Sequence, residues 1–143
     1  GGVIAGADDA IVRDLFDYGD ALGIAFQIVD DLLDYQGQSA TTGKNVGDDF
    51  RERELTLPVI KAVACADAEE RAFWSRTIER GHQEDGDLDH ALSLLRRHGA
   101  LEATRQDAIN WAGKAKAAMA RAPGHTLRDI LIDLADYVVE RIN

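Results

Sequence analysis

The sequence is poor in cysteine: Cys65 is the single one in 143 residues. An internal disulfide is therefore excluded, and a reducing compartment suits the chain. Cys65 falls in an Ala/Val-rich helical stretch, where a small buried core residue is expected rather than a reactive thiol. No apolar run approaches the roughly 18 residues that signal a transmembrane helix, so a cytoplasmic location is the expectation. A basic patch is missing too. The net charge is −10, which argues against a binder of nucleic-acid backbone and otherwise favours solubility. No convincing strand pattern, internal repeat, low-complexity tract or linker is legible. The most informative absence is local. From Asp14 to Gly43 there is no Lys or Arg, yet six Asp stand there: Asp14, Asp17, Asp20, Asp30, Asp31 and Asp34.

What occupies that stretch is an acidic helix. Residues 27–34 read Gln-Ile-Val-Asp-Asp-Leu-Leu-Asp. At about 100° per residue, Gln27, Asp30, Asp31 and Asp34 fall within one face about 100° wide. Like charges at this spacing cost roughly 0.2–0.5 kcal/mol per pair, and carboxylates in the last turns oppose the negative end of the helix dipole. A hard divalent cation, which takes oxygen ligands, relieves both. From Leu22 to Leu33 the helix is apolar nearly all round, the mark of a buried helix whose polar stripe faces a partner, cavity or cleft. Gly19 and Gly23 precede the stripe; at roughly 1 kcal/mol each against alanine, they point to close packing or to space left for a ligand. The bland alternative is a solvated acidic face on a surface helix.

The whole chain reads helical, in one domain or part of one. Asp8 or Asp9 caps a helix over about 10–35, ended by Gly37. Residues 37–54 form a polar loop. Thr56 and Pro58 open a helix to about 66. Asp67 with Glu70 resembles a capping box for a helix through Arg80, closed by Gly81. Asp87 opens a helix to about 98, closed by Gly99. A long Ala-rich helix spans 101–121 and is stopped by Pro123-Gly124. Thr126 opens the last helix, with Leu127, Ile130, Leu131, Leu134, Val138 and Ile142 at helical spacing. The opening Gly-Gly-Val-Ile-Ala-Gly has no Met and reads as the tail of an earlier helix and a turn, so the front of a larger domain is expected upstream.

The loop after the acidic face reads Gly43-Lys44-Asn45-Val46-Gly47-Asp48-Asp49. A lysine beside metal-binding carboxylates is what a diphosphate site requires. The spacing is not a Walker A loop, and carboxylates on a helix are not an EF-hand. A plain surface-loop lysine is the alternative.

Phe26-Gln27-x-x-Asp30-Asp31-x-x-Asp34, then Gly43-Lys44-x-x-Gly47-Asp48-Asp49, then Thr56-Leu57-Pro58, resembles the second aspartate-rich region of the trans-type isoprenyl (polyprenyl) diphosphate synthases, closest to the bacterial long-chain branch. A weaker likeness continues through Gly99–Thr104 and Leu134–Val139. The resemblance covers the chain, but the chain covers only the C-terminal part of that family's single domain. It implies an all-α, isoprenoid-synthase-type helical bundle around a central cavity, and usually a homodimer. It implies joining of an allylic diphosphate to isopentenyl diphosphate: the allylic C–O bond breaks, the isopentenyl double bond attacks the cation, and a proton is lost. By this resemblance Asp30 and Asp34 bind Mg²⁺, directly or through water, with Asp31 as ligand or outer acceptor. Gln27 and Lys44 contact the allylic diphosphate, and Asp48 orients metal-bound water or Lys44.

The likeness departs at Glu52-Arg53-Glu54. Glu54 stands where the family has a diphosphate-holding lysine, and Arg53 would substitute from one position away, although arginine and lysine are not interchangeable. The family's first aspartate-rich motif and isopentenyl-binding residues lie outside this stretch, so the isolated chain is expected to be inactive. Two other readings stand beside the enzyme: a non-catalytic or regulatory helical subunit that binds a partner synthase chain, and an acidic bundle with a bare metal site. His82, His90, His98 and His125 read as solvated helix-end histidines, Trp74 and Trp111 as packing residues, and the charges from Glu69 to Arg80 as a solvated face.

Overall fold

A computed structural model describes residues 7–36, 46–121 and 126–143, and every regular element among them is helical. The all-α class holds. The elements are α1 (Ala7–Gln36), α2 (Asp48–Arg51), α3 (Leu57–Ala64), α4 (Ala68–Trp74), a π-helix (Ser75–Glu79) running on from α4, α5 (Asp87–Arg97), α6 (Ala100–Ala120) and α7 (Thr126–Glu140).

Most boundaries follow local chemistry. Pro58 lies in the first turn of α3 after Thr56, where its missing N–H costs nothing. Asp67 caps α4 by accepting the Glu70 N–H at 2.8 Å, and that bond holds its carboxyl below the usual carboxylate range. Three expectations need correction. Asp8 and Asp9 do not cap α1, because the helix already includes Ala7. The 37–54 loop contains α2, one turn begun by left-handed Gly47 (φ 81°) with Asp48 and Asp49 at its positive end. The capping box is half made: the Glu70 side chain is turned inward to His98 Nε2 at 2.6 Å.

α2 ends in a Schellman motif. Arg53 N–H reaches the Phe50 carbonyl at 3.0 Å and Glu54 N–H the Asp49 carbonyl at 2.8 Å, the paired bonds of that stop. Its left-handed position, usually glycine, is held by Arg53 at φ 63°. For a residue with a Cβ this conformation costs roughly 1–2 kcal/mol.

The chain forms two compact units, residues 1–29 with 107–143, and residues 30–106. In the first, alanines of α6 let the helices approach closely. Ala115, Ala118 and Met119 pack with Tyr18, Ala21 and Ala135, and the Tyr18 hydroxyl donates to the Leu131 carbonyl at 2.7 Å. The cation-free stretch is answered from far along the chain: Arg121 lies 3.1 Å from Asp14 and 3.5 Å from Asp17. From Leu22 to Leu33 α1 is not buried on every side as expected: Ala25 and Val29 are fully buried, but Phe26 is 48% exposed. The second unit is built on aromatics: Phe50 stacks on Phe73 and Trp74 meets both edge-on, with ring centroids 5.1–6.4 Å apart. Trp74 is a packing residue, as expected; Cys65 is exposed, not core.

Candidate functional site

The acidic stripe lies on the last turns of α1 and is graded in burial. Gln27 and Asp30 are exposed, Asp31 is half-buried, and Asp34 is buried at 5% exposure. The stripe turns inward toward the helix end because Leu32 and Leu33 beside Asp34 are core residues.

Asp34 is the hinge of the local architecture. Its carbonyl accepts the Gly47 N–H at 3.0 Å, and its Oδ2 accepts the Asp49 N–H at 3.2 Å. The residue after it, Tyr35, is a core residue. Burial raises the Tyr35 hydroxyl far above its ordinary ionisation range, and the carboxylates of Asp34, Asp49 and Asp31 raise it further. Glycine is needed at 47 on two counts: φ is 81°, and a Cβ there would stand 2.5 Å from a Leu88 methyl. Asp48 carries an ion pair to Arg51 at 2.8 Å.

Arg53, expected as a diphosphate contact, is engaged elsewhere. Its Nε donates to the Ile78 carbonyl at 3.0 Å, and its other guanidinium arm donates to the Glu79 carbonyl. It closes the end of the π-helix, whose last carbonyls lack partners further along the helix. Glu54 is exposed. Lys44, with the rest of residues 37–45, lies outside the described residues. Among the described residues no group of three His, Cys, Asp or Glu side chains is close enough to form a preformed metal cage.

Several partnerships had no sequence signal. Gln83 Nε2 donates to the Phe50 carbonyl at 2.8 Å and the Thr77 carbonyl at 3.1 Å. Arg76 grips Asp87 with two bonds of 2.8 and 3.0 Å, so the Glu69–Arg80 stretch is not simply a solvated face. His98 is partnered by Glu70 rather than solvated, and His90 stands edge-on to Phe73 at 4.6 Å. His125 lies outside the described residues.

Within the first unit, Gly19 and Gly23 line a groove of about 460 Å³ with Leu22, Phe26, Leu134 and Tyr137. A Cβ at either glycine would meet nothing within 4 Å, so they leave space rather than permit close packing. No helix among the described residues is long and apolar enough to cross a membrane.

A model of the polyprenyl synthetase family matches residues 1–95. The octaprenyl diphosphate synthase of Escherichia coli is 40% identical over 140 residues, 98% of this chain and 43% of that one. The crystal structure of a decaprenyl diphosphate synthase from Rhodobacter capsulatus matches with a TM-score of 0.87 at 67% identity, over 94% of this chain and 42% of that chain. A polyprenyl synthase from Caulobacter crescentus, crystallised with calcium and isoprenyl diphosphate, matches with a TM-score of 0.83 at 47% identity, over 94% and 41%. The chain spans about two-fifths of the length of the relatives it matches.

Proposed function

The chain belongs to the polyprenyl synthetase family, and from that membership we propose that it carries one half of a prenyl diphosphate synthase site, the half that grips the allylic diphosphate through Mg²⁺. The observation that carries this reading is the graded Asp30–Asp31–Asp34 stripe, whose buried end is tied by the backbone N–H groups of Gly47 and Asp49. The Caulobacter crescentus relative was crystallised with a divalent cation and an isoprenyl diphosphate, the pairing this stripe suits.

The donor set fits magnesium. All three side chains offer hard oxygens, and exposed Asp30 and half-buried Asp31 can meet a cation that keeps part of its water shell. Mg²⁺ at phosphate sites takes one or two carboxylates plus phosphate oxygens rather than an all-protein cage, so a preformed cluster is not required. When bound, the ion offsets negative charge developing on the leaving diphosphate. Asp30 and Asp34 hold it, directly or through water, with Asp31 as ligand or outer acceptor. Gln27 and Lys44 contact the diphosphate, and Asp48 orients Lys44 or a water. The buried Asp34 carboxylate is held in place by the Asp49 N–H, and groups fixed before binding are where such sites gain.

Condensation with isopentenyl diphosphate requires groups beyond this chain, supplied by a further segment or a partner chain. The exposed apolar row of Phe26, Ile130, Leu134 and Tyr137 in the first unit supports an uncovered face of that kind. The same row favours the second reading, a regulatory subunit packed on a synthase chain. Calorimetry with inorganic pyrophosphate, with and without Mg²⁺, tests the proposal. Binding is expected only with Mg²⁺ and should be lost in Asp30→Asn/Asp34→Asn; Mg²⁺-independent or unaffected binding overturns it. Turnover of both diphosphates by the chain alone would overturn the half-site reading.

A further inference from the structure

We propose that Arg53 is a positioning residue for the acidic site: by gripping the Ile78 and Glu79 carbonyls it anchors the turn after α2 and so sets the Asp49 N–H on the Asp34 carboxylate. The inference deepens the function proposed above, and rests on it only in assigning Asp34 to the magnesium–diphosphate site.

α2 is a single turn anchored at both ends. At its start the Gly47 and Asp49 N–H groups bind Asp34. At its close, Arg53 sits left-handed at the Schellman position, where glycine would serve the backbone without strain. What arginine adds is its fork: Nε on the Ile78 carbonyl at 3.0 Å and a second arm on the Glu79 carbonyl. Those carbonyls lie at the negative end of the π-helix, where a cation is favoured. The opposing surface is shaped to receive it. At Gly81, φ 72°, a Cβ would stand 2.7 Å from Arg53 Nε. Gln83 adds a second tie, donating to Phe50 and Thr77 carbonyls at 2.8 and 3.1 Å. A one-turn helix fixed between two anchors cannot shift at Arg53 without moving Asp49.

The test uses Arg53→Ala, Arg53→Lys and Gly81→Ala in the 143-residue chain, read by amide hydrogen exchange and by Mg²⁺-dependent pyrophosphate calorimetry. In Arg53→Ala, exchange at Asp49 should rise roughly ten-fold, the scale of one charge-assisted hydrogen bond, while α5 stays unchanged. Pyrophosphate affinity should fall several-fold. Lysine, a point donor rather than a fork, should restore only part of both. Gly81→Ala, which keeps every polar group but displaces the guanidinium, should reproduce the alanine variant. Unchanged Asp49 exchange in both Arg53→Ala and Gly81→Ala overturns the clasp. Faster exchange with unchanged affinity overturns the positioning role. If the parent chain binds no pyrophosphate with Mg²⁺, the positioning role falls with the proposed function, and Asp49 exchange alone then decides whether the clasp exists.

Discussion

His98 Nε2 stands 2.6 Å from Oε2 of Glu70, whose side chain is only 8% exposed. The contact joins the C-terminal cap of α5 to the first turn of α4. Arg97 also approaches Glu70, but at 3.6 Å and with its own side chain largely in solvent. His98→Ala would leave the buried carboxylate with that weaker partner. We expect a loss of about 1.5–3 kcal/mol, the range for hydrogen bonds to charged groups. Urea unfolding measures it; a midpoint equal to the parent's would remove the contact from the list of stabilising ones.

The Arg76–Asp87 pair predicts an acid limb. The Arg76 guanidinium, with help from the Glu84 N–H at 2.7 Å, holds the Asp87 carboxyl below the usual carboxylate range. A depressed folded value contributes stability that is full above the unfolded value, near pH 4, and is lost as pH falls through the folded one. Asp87→Asn should lower stability at neutral pH and flatten the decline below about pH 4. Thermal melts from acid to neutral pH check this; parallel curves for parent and variant would contradict it.

Tyr35 predicts the opposite limb. Burial, then the Asp34, Asp49 and Asp31 carboxylates, keep its hydroxyl protonated well past its ordinary value. A raised folded value contributes stability that is full below the unfolded value, near pH 10, and is lost as pH rises through the folded one. Tyr35→Phe should therefore lose stability less steeply above about pH 10 than the parent. Chemical unfolding at pH 8 and in the alkaline range decides it, with equal slopes as the contrary result.

Asp30 is exposed and lies four residues before Asp34 on α1. With Mg²⁺, Asp30→Asn should weaken pyrophosphate binding by roughly ten-fold, the loss of one carboxylate ligand. Calorimetry on the variant checks this; an affinity equal to the parent's would speak for an ordinary solvated aspartate.

Helix content and many ends were legible because caps and stops act over a few residues: Asp67, Pro58, Gly81 and Gly99 each do their work within one turn. α2 was not, because a four-residue helix gives no period to read. Cys65 was misjudged because an Ala/Val-rich stretch says how apolar a helix is, not which face is covered. The hold of Arg53 on the π-helix end was not legible because its partners lie 25 and 26 residues away.

By itself the sequence determined the helical class, the alignment of Gln27, Asp30, Asp31 and Asp34 on one face, and the likeness to the polyprenyl synthases. Those rest on the fixed angle per residue and on short motifs in order. Only the tertiary structure decided that Asp34 is buried and bound by Asp49 while Asp30 faces solvent, that Glu70 belongs to His98, and that Arg53 holds a π-helix end. A carboxylate's surroundings are set by whatever the chain brings back beside it, and no local period encodes that return.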